Sequence, residues 1–170
     1  HIQAGGGRFR GIRHITVWDD DDRLINKSYS VKKGLLADPN FRAGFAELEK
    51  LNLSFDAWLY HPQIDDLTEL AQNFPGTTIV LDHCGGPLGL GEYAKASANV
   101  FGSWRKSIEK IAACANVKVK LGGLGMRING YDFHEKHLPP TSDELVKAWF
   151  PYFDTCIQAF GPDRCMFESN

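Results

Sequence analysis

The sequence predicts an α/β fold in which parallel strands are covered by outer helices. Three observations predict it. Short apolar runs rich in β-branched residues alternate with amphipathic helical patterns along the 170 residues, as successive βα units do. Charged and imidazole side chains recur where those runs end, which suits the carboxyl edge of a parallel sheet. No strand leads into G-x-G-x-x-G or G-x-x-x-x-G-K-[ST], so neither a dinucleotide turn nor a P-loop is present. The residues alone leave two architectures open: a doubly wound open sheet, or part of an eight-unit barrel.

The elements follow in chain order. The glycine-rich "AGGGRFR" (Ala4 to Arg10) reads as a turn or hinge before the first strand, which lies in "RFRGIRHITVW" (Arg8 to Trp18). Asp38-Pro39 places an N-cap before a proline in the first helical turn. Phe41, Phe45 and Leu48 follow at helical spacing. The second strand is "FDAWLYH" (Phe55 to His61), and Ile64, Leu67, Leu70, Ala71 and Phe74 form the next apolar helix face. The third strand, "TTIVLDH" (Thr77 to His83), breaks at Gly85-Gly86-Pro87. Phe101, Trp104, Ile108, Ile111 and Ala112 mark a third helix, and "NVKVKLGG" (Asn116 to Gly123) a fourth strand. Thr141 and Glu144 have capping-box spacing at the start of a fourth helix, which runs through Leu145, Trp149, Phe153, Ile157 and Phe160 to Gly161-Pro162. "RCMFES" (Arg164 to Ser169) is the fifth strand. Two long loops, Asp19 to Ala37 and Leu124 to Pro140, are expected at the carboxyl edge, where such loops shape a site.

Composition bounds the function. The chain is 43% hydrophobic and 24% charged, ordinary for one globular domain spanning 1–170. A formal net charge of −2 offers no basic surface for nucleic acid or an anionic membrane. No apolar run approaches the roughly 20 residues of a membrane helix, and the opening residues do not read as a signal peptide. Cys84, Cys114, Cys156 and Cys165 form no C-x-x-C pair and read as small buried thiols in a reducing compartment. A cytoplasmic location is therefore expected.

The candidate site lies at the strand ends. Side chains alternate along a strand, so Ile79, Leu81 and His83 are expected on one face, with Val80, Asp82 and Cys84 on the other. His61 shares a face with Leu59, Ala57 and Phe55. Arg13 and His14 end "GIRH", Lys120 follows Lys118, and Glu168, Ser169 and Asn170 end the last strand. Groups of this kind on adjacent strands converge into a catalytic mouth. Imidazole serves as a metal ligand or as a general base near neutral pH. Arginine and lysine hold a carboxylate or a developing oxyanion. Asp82, placed opposite His83, reads as a loop cap or as an orienting group. Two strand-end histidines fall short of the three protein ligands that zinc usually takes. His134 and His137, in "FHEKHLPP", read as solvent-exposed, and Asp19 to Asp22 as a solvated acidic loop lacking the EF-hand pattern.

"FDAWLYHPQ", "TTIVLDHCGGPLG", "VKVKLGGLGM" and "GPDRCMFESN", in that order, resemble the amidohydrolase-related family of metal-dependent hydrolases, which includes sugar and dicarboxylate lactonases. The resemblance runs from "GRFRGIRH" to the last residue. It implies a partial or distorted (β/α)8 TIM barrel with its site at the C-terminal mouth, and a chain that lacks the first and last segments of such a barrel. It implies hydrolysis of a lactone or similar cyclic ester or amide. His83 would be a catalytic residue and a metal ligand, and Asn170 would stand at the catalytic position of the last strand. Arg13, His14, His61 and Lys120 would bind substrate. A divalent metal, zinc or manganese, is implied as cofactor, and the substrate as a small molecule carrying a carboxylate or hydroxyls. Nucleic acid and membrane are not expected as partners, and a homo-oligomer is compatible.

Two departures qualify this expectation. The family's Asp-x-His-x-His strand is absent, and Asn170 stands where an Asp is usual; Asn cannot act as a general base and is a poor divalent-metal ligand. The alternatives carried forward are a metal-dependent decarboxylase of an unsaturated or aromatic acid, and a barrel that binds a ligand without turning it over.

Overall fold

The computed structural model describes residues 1–24 and 31–170; residues 25–30, inside the expected loop Asp19 to Ala37, lie outside the described residues. The described chain forms a five-stranded, wholly parallel sheet whose spatial order equals its chain order, β1-β2-β3-β4-β5. The strands are β1 (Gly11–Ile15), β2 (Ser54–Trp58), β3 (Ile79–Leu81), β4 (Val117–Leu121) and β5 (Cys165–Phe167). This order decides between the two architectures left open. A doubly wound sheet reverses its strand order at a switch point, whereas a barrel advances one strand at a time in one direction. The chain is an arc of the second kind.

The helices are α1 (Pro39–Lys50), α2 (Ile64–Asn73), a short α3 (Glu92–Lys95), α4 (Ser97–Ala112) and α5 (Ser142–Phe160). The four long ones match the predicted patterns. Asp38 caps α1 by accepting from the backbone N–H of Asn40 and Phe41, a cap worth about 1 kcal/mol. Thr141 and Glu144 form the predicted capping box of α5.

One sheet face packs on the helices. Phe55 and Ala57 of β2, Ile79 and Leu81 of β3, and Val117 and Val119 of β4 join Phe45, Leu67, Leu70, Trp104, Ile108 and Ile111 in one buried core. Each fully buried side chain of this size contributes roughly 1.5–3 kcal/mol. Because alternation is strict within a strand, the residues between them project from the opposite face: Asp56, Trp58, Val80, Lys118 and Lys120. In-register pairing sets Arg13 beside Asp56 on that face.

A smaller cluster of Val17, Leu24, Tyr60 and Leu88 seats the loops after β1 and β2. Gln63 ties them together, accepting from the Trp18 N–H at 2.9 Å and donating to the Thr16 carbonyl at 2.7 Å. Three of the four cysteines are buried and all four are free. Among the described residues, no helix is long and apolar enough to cross a membrane.

Candidate active site

The site begins where β3 stops. Regular strand ends at Leu81, Asp82 is still extended, and then four consecutive residues take positive φ: His83 (56°), Cys84 (52°), Gly85 (70°) and Gly86 (55°). The two glycines are required there. A Cβ on Gly86 would strike the Leu59 carbonyl, and one on Gly85 would lie 2.7 Å from Ile64 Cδ1. His83 and Cys84 take this conformation against a cost of roughly 1–2 kcal/mol each, the kind of strain that the surrounding structure must over-determine. It is over-determined here. The Trp104 Nε1–H donates to the Cys84 carbonyl at 2.7 Å, and the His83 backbone N–H donates to Glu168 Oε1 at 3.1 Å.

This turn corrects the strand-alternation expectation for His83. The ring does not continue the Ile79–Leu81 line into the helix layer. It swings back to the mouth, against the edge of the Trp58 ring at 4.5 Å between centroids. Gly123 backs it: with φ of 70°, a Cβ there would lie 2.6 Å from the His83 ring. Gly122 leaves equivalent room for Glu168.

Five charged groups surround His83 in one continuous network. Glu168 Oε1 accepts from the ring Nδ1 at 2.5 Å. Arg13 Nη2 lies 2.9 Å from His83 Nε2, and Arg13 Nε 2.8 Å from Asp82 Oδ2. Lys120 Nζ reaches Asp82 Oδ1 at 2.8 Å and Asp56 Oδ2 at 2.6 Å. The tautomer of His83 follows from its partners. Arginine has only donors, so Nε2 must accept, and Nδ1 carries the proton given to Glu168.

Asp82 is completely buried and meets one cation on each oxygen. A buried carboxylate persists as an ion only when paired in this way. Burial opposes the charge of Lys120, but its contacts with Asp56 and Asp82 outweigh it and raise the ammonium above its ordinary value. Burial likewise opposes ionisation of Glu168, and the His83 contact outweighs it, holding the carboxyl below its ordinary value. Lys120 is therefore spent on two aspartates. Arg13, whose side chain is 50% exposed, is the cation of this network that is open to a ligand.

The structure corrects the placement of three other expected residues. His14 projects to the helix side of β1 and stacks on Phe41, away from the network. His61 is buried, its Nδ1 accepts the Leu88 N–H at 3.3 Å, and its ring meets the Tyr93 ring edge-on. Burial pushes His61 down to about 4 against the opposing charge of Asp19, so it stays neutral at physiological pH. Asn170 is exposed in the terminal segment, and the last-strand group on His83 is Glu168 instead. His134 is exposed as expected, and so is His137.

Sequence reasoning set Glu168 among the strand-end groups without a specific task, passed over Asp56, and turned Asp82 away from His83. The available signal was parity. Asp56 lies between buried Phe55 and Ala57, so an aspartate inside a strand faced the non-helical side. Glu168 falls two residues after Met166, on the same side as Lys120, which pairs with Met166.

These residues do not present a divalent-metal site. Asp82 and the Nε2 of His83 are each already engaged by a cation, as is Asp56, and Glu168 is engaged by the His83 N–H groups. Among the described residues, the group of three ligating side chains brought within 4.8 Å is Asp132, His134 and Glu135, all exposed in the β4–α5 loop.

Comparisons with known proteins agree with this fold. A sequence model of the amidohydrolase family matches residues 2–170. An uncharacterized protein, y4mH, of Sinorhizobium fredii is 34% identical over 100% of the chain and 49% of its own length. An L-fucono-1,5-lactonase of Burkholderia multivorans is 26% identical over 97% of the chain and 49% of its own length. A crystal structure of an amidohydrolase from Burkholderia multivorans superimposes with a TM-score of 0.74 at 24% identity, covering 99% of this chain and 53% of that one. Another crystal form from that organism, with bound zinc, gives a TM-score of 0.70 at 24% identity, over 95% and 49% of the two chains. The chain thus spans about half the length of the curated relatives it matches.

Proposed function

The chain belongs to the amidohydrolase family, and from that premise we propose that the protein carrying it opens a lactone or similar cyclic ester at the carboxyl edge of the sheet. The carrying observation is the chain of contacts Glu168–His83–Arg13, in which an imidazole is fixed in one tautomer with its Nε2 accepting from Arg13, the half-exposed cation of the network. The distant likeness to a lactonase supports the same reading.

In this reading His83 Nε2 takes a proton from water as the water oxygen attacks the ring carbonyl carbon. The carbonyl π electrons move to oxygen, and the Arg13 guanidinium lies on the side where that negative charge, or a substrate carboxylate, is stabilised. Collapse of the tetrahedral species breaks the ring carbon–oxygen bond. The proton held on Nε2 passes to the leaving alkoxide, and a hydroxy acid is released. Glu168 keeps the imidazolium formed midway in place, and Lys120 pairs with Asp82, the carboxylate that anchors the Arg13 Nε. Zinc or manganese, where bound, would supply Lewis-acid polarisation of the carbonyl; among the described residues, those around His83 are engaged with one another.

The test is acid release from a panel of lactones by the full-length protein carrying this chain, with His83→Gln as comparison. Expected is ring opening that falls by about 10²-fold or more in the variant. An unchanged rate in His83→Gln, or no lactone opened by the native protein, would overturn the assignment.

A further inference from the structure

The nitrogen that the chemistry needs is occupied. Arg13 Nη2 caps His83 Nε2 at 2.9 Å, so the lone pair that would take a proton from water is already accepting one hydrogen bond. The cap is built to let go. Arg13 is hinged at its Nε, which is anchored to the fully buried Asp82 at 2.8 Å, while half of its side chain faces solvent. His83, by contrast, is fixed on all sides: Glu168 holds its Nδ1 and its backbone, Trp58 meets its ring edge-on, and Gly123 closes behind it. Any rearrangement that frees Nε2 must therefore move Arg13.

We propose that Arg13 is an anion-operated cap on His83: a substrate carboxylate draws the guanidinium off Nε2, and the base is freed only when such a substrate is bound. The energetics favour the exchange. A guanidinium–carboxylate pair is bidentate and charge-assisted, whereas its bond to a neutral imidazole is single and has one charged partner. Nε keeps its ion pair with Asp82 throughout, so the buried carboxylate is never left with Lys120 alone. Lys120 cannot play the same part, because its ammonium already meets Asp56 and Asp82. The substrate class that follows is a lactone bearing a carboxylate close to its ring carbonyl. A neutral lactone of equal size would find Nε2 still capped. Arg13 is in this sense a specificity-determining residue, and the inference rests on the lactone-opening reading above for its kinetic part only.

The experiment uses the full-length protein with 15N-labelled histidine and glutarate as a non-reacting dicarboxylate. Saturable glutarate binding is expected to move the His83 Nε2 resonance downfield, toward an unbonded pyridine-type nitrogen. In Arg13→Gln the resonance should already lie near that position and should not respond. The same two proteins are then compared on a carboxylated and a neutral lactone. The native protein should prefer the carboxylated one by about tenfold or more in kcat/KM, equivalent to about 1.4 kcal/mol, and Arg13→Gln should erase that preference. Glutarate that fails to bind, or that binds without moving the native resonance, overturns the cap, as does an equal response in the variant. A responding resonance in a protein that opens no lactone keeps the cap and discards the hydrolase reading. Lactone opening with no resonance shift does the reverse.

Discussion

A single oxygen of Glu168, Oε1, accepts both N–H groups of His83: the ring Nδ1–H at 2.5 Å and the backbone N–H at 3.1 Å. One carboxylate thereby sets the orientation of the imidazole and pins the strained turn that carries it. Glu168→Gln keeps the shape and removes the charge. The expected result is a kcat lower by about 10²-fold with KM nearly unchanged, measured by steady-state kinetics on a reactive lactone. A loss confined to KM or to stability, with kcat intact, would show that Glu168 only supports the turn.

Gly123 is the second lever on the same imidazole. Alanine there must adopt φ of 70° and push its Cβ into the His83 ring. Gly123→Ala is expected to cost about 1–3 kcal/mol of stability and to lose activity out of proportion to that loss. Urea unfolding together with kinetics at a temperature where the variant is folded separates the two effects.

Lys120 tests the cost of leaving Asp82 half-paired. Lys120→Met removes one of its two cations and the partner of Asp56, and should destabilise by about 3 kcal/mol. Asp82→Asn in the same protein should restore part of that loss, since it removes the charge left without a partner. A double-mutant cycle by chemical denaturation measures the coupling; simple additivity would disprove the ion-pair account.

His61 predicts a pH effect of defined sign. Its native value is depressed to about 4 from an ordinary 6.5, so the unfolded chain binds the proton first on acidification. The stability His61 contributes is therefore fully present above pH 6.5 and is lost as the pH falls toward 4, by something on the order of 3 kcal/mol. His61→Gln should flatten the stability profile across that interval. Denaturation midpoints at several pH values check it.

Much of the fold was legible because burial imposes periodicity. Phe41–Phe45–Leu48 and Ile64–Leu67–Leu70–Ala71 face one core, and their spacing admits only a helix. Asp38-Pro39 and Thr141–Glu144 announced their helices through the chemistry of unsatisfied N–H groups. The site was legible only as a place. Counting alternation through Asp82 and His83 assumed that the strand ran on, whereas it ends at Leu81 and the next residues enter left-handed backbone. No local pattern signals that a histidine will adopt φ of 56°, because contacts 85 residues away, at Glu168, hold it there. His14 and His61 misled for the opposite reason. Each stands near a strand end, but one is on the helix side and the other is committed to a backbone N–H.

The dry carboxylate of Asp82 also constrains how this sequence can drift. Arg13, Asp56, Asp82 and Lys120 stand on four different strands or strand ends and neutralise one another. A change at any one of them leaves a charge stranded, and the fitness of that change depends on what occupies the other three. Neutral paths through this part of sequence space therefore run by paired replacements. A descendant that has exchanged Lys120 for an apolar residue should be found to have altered Asp82 as well.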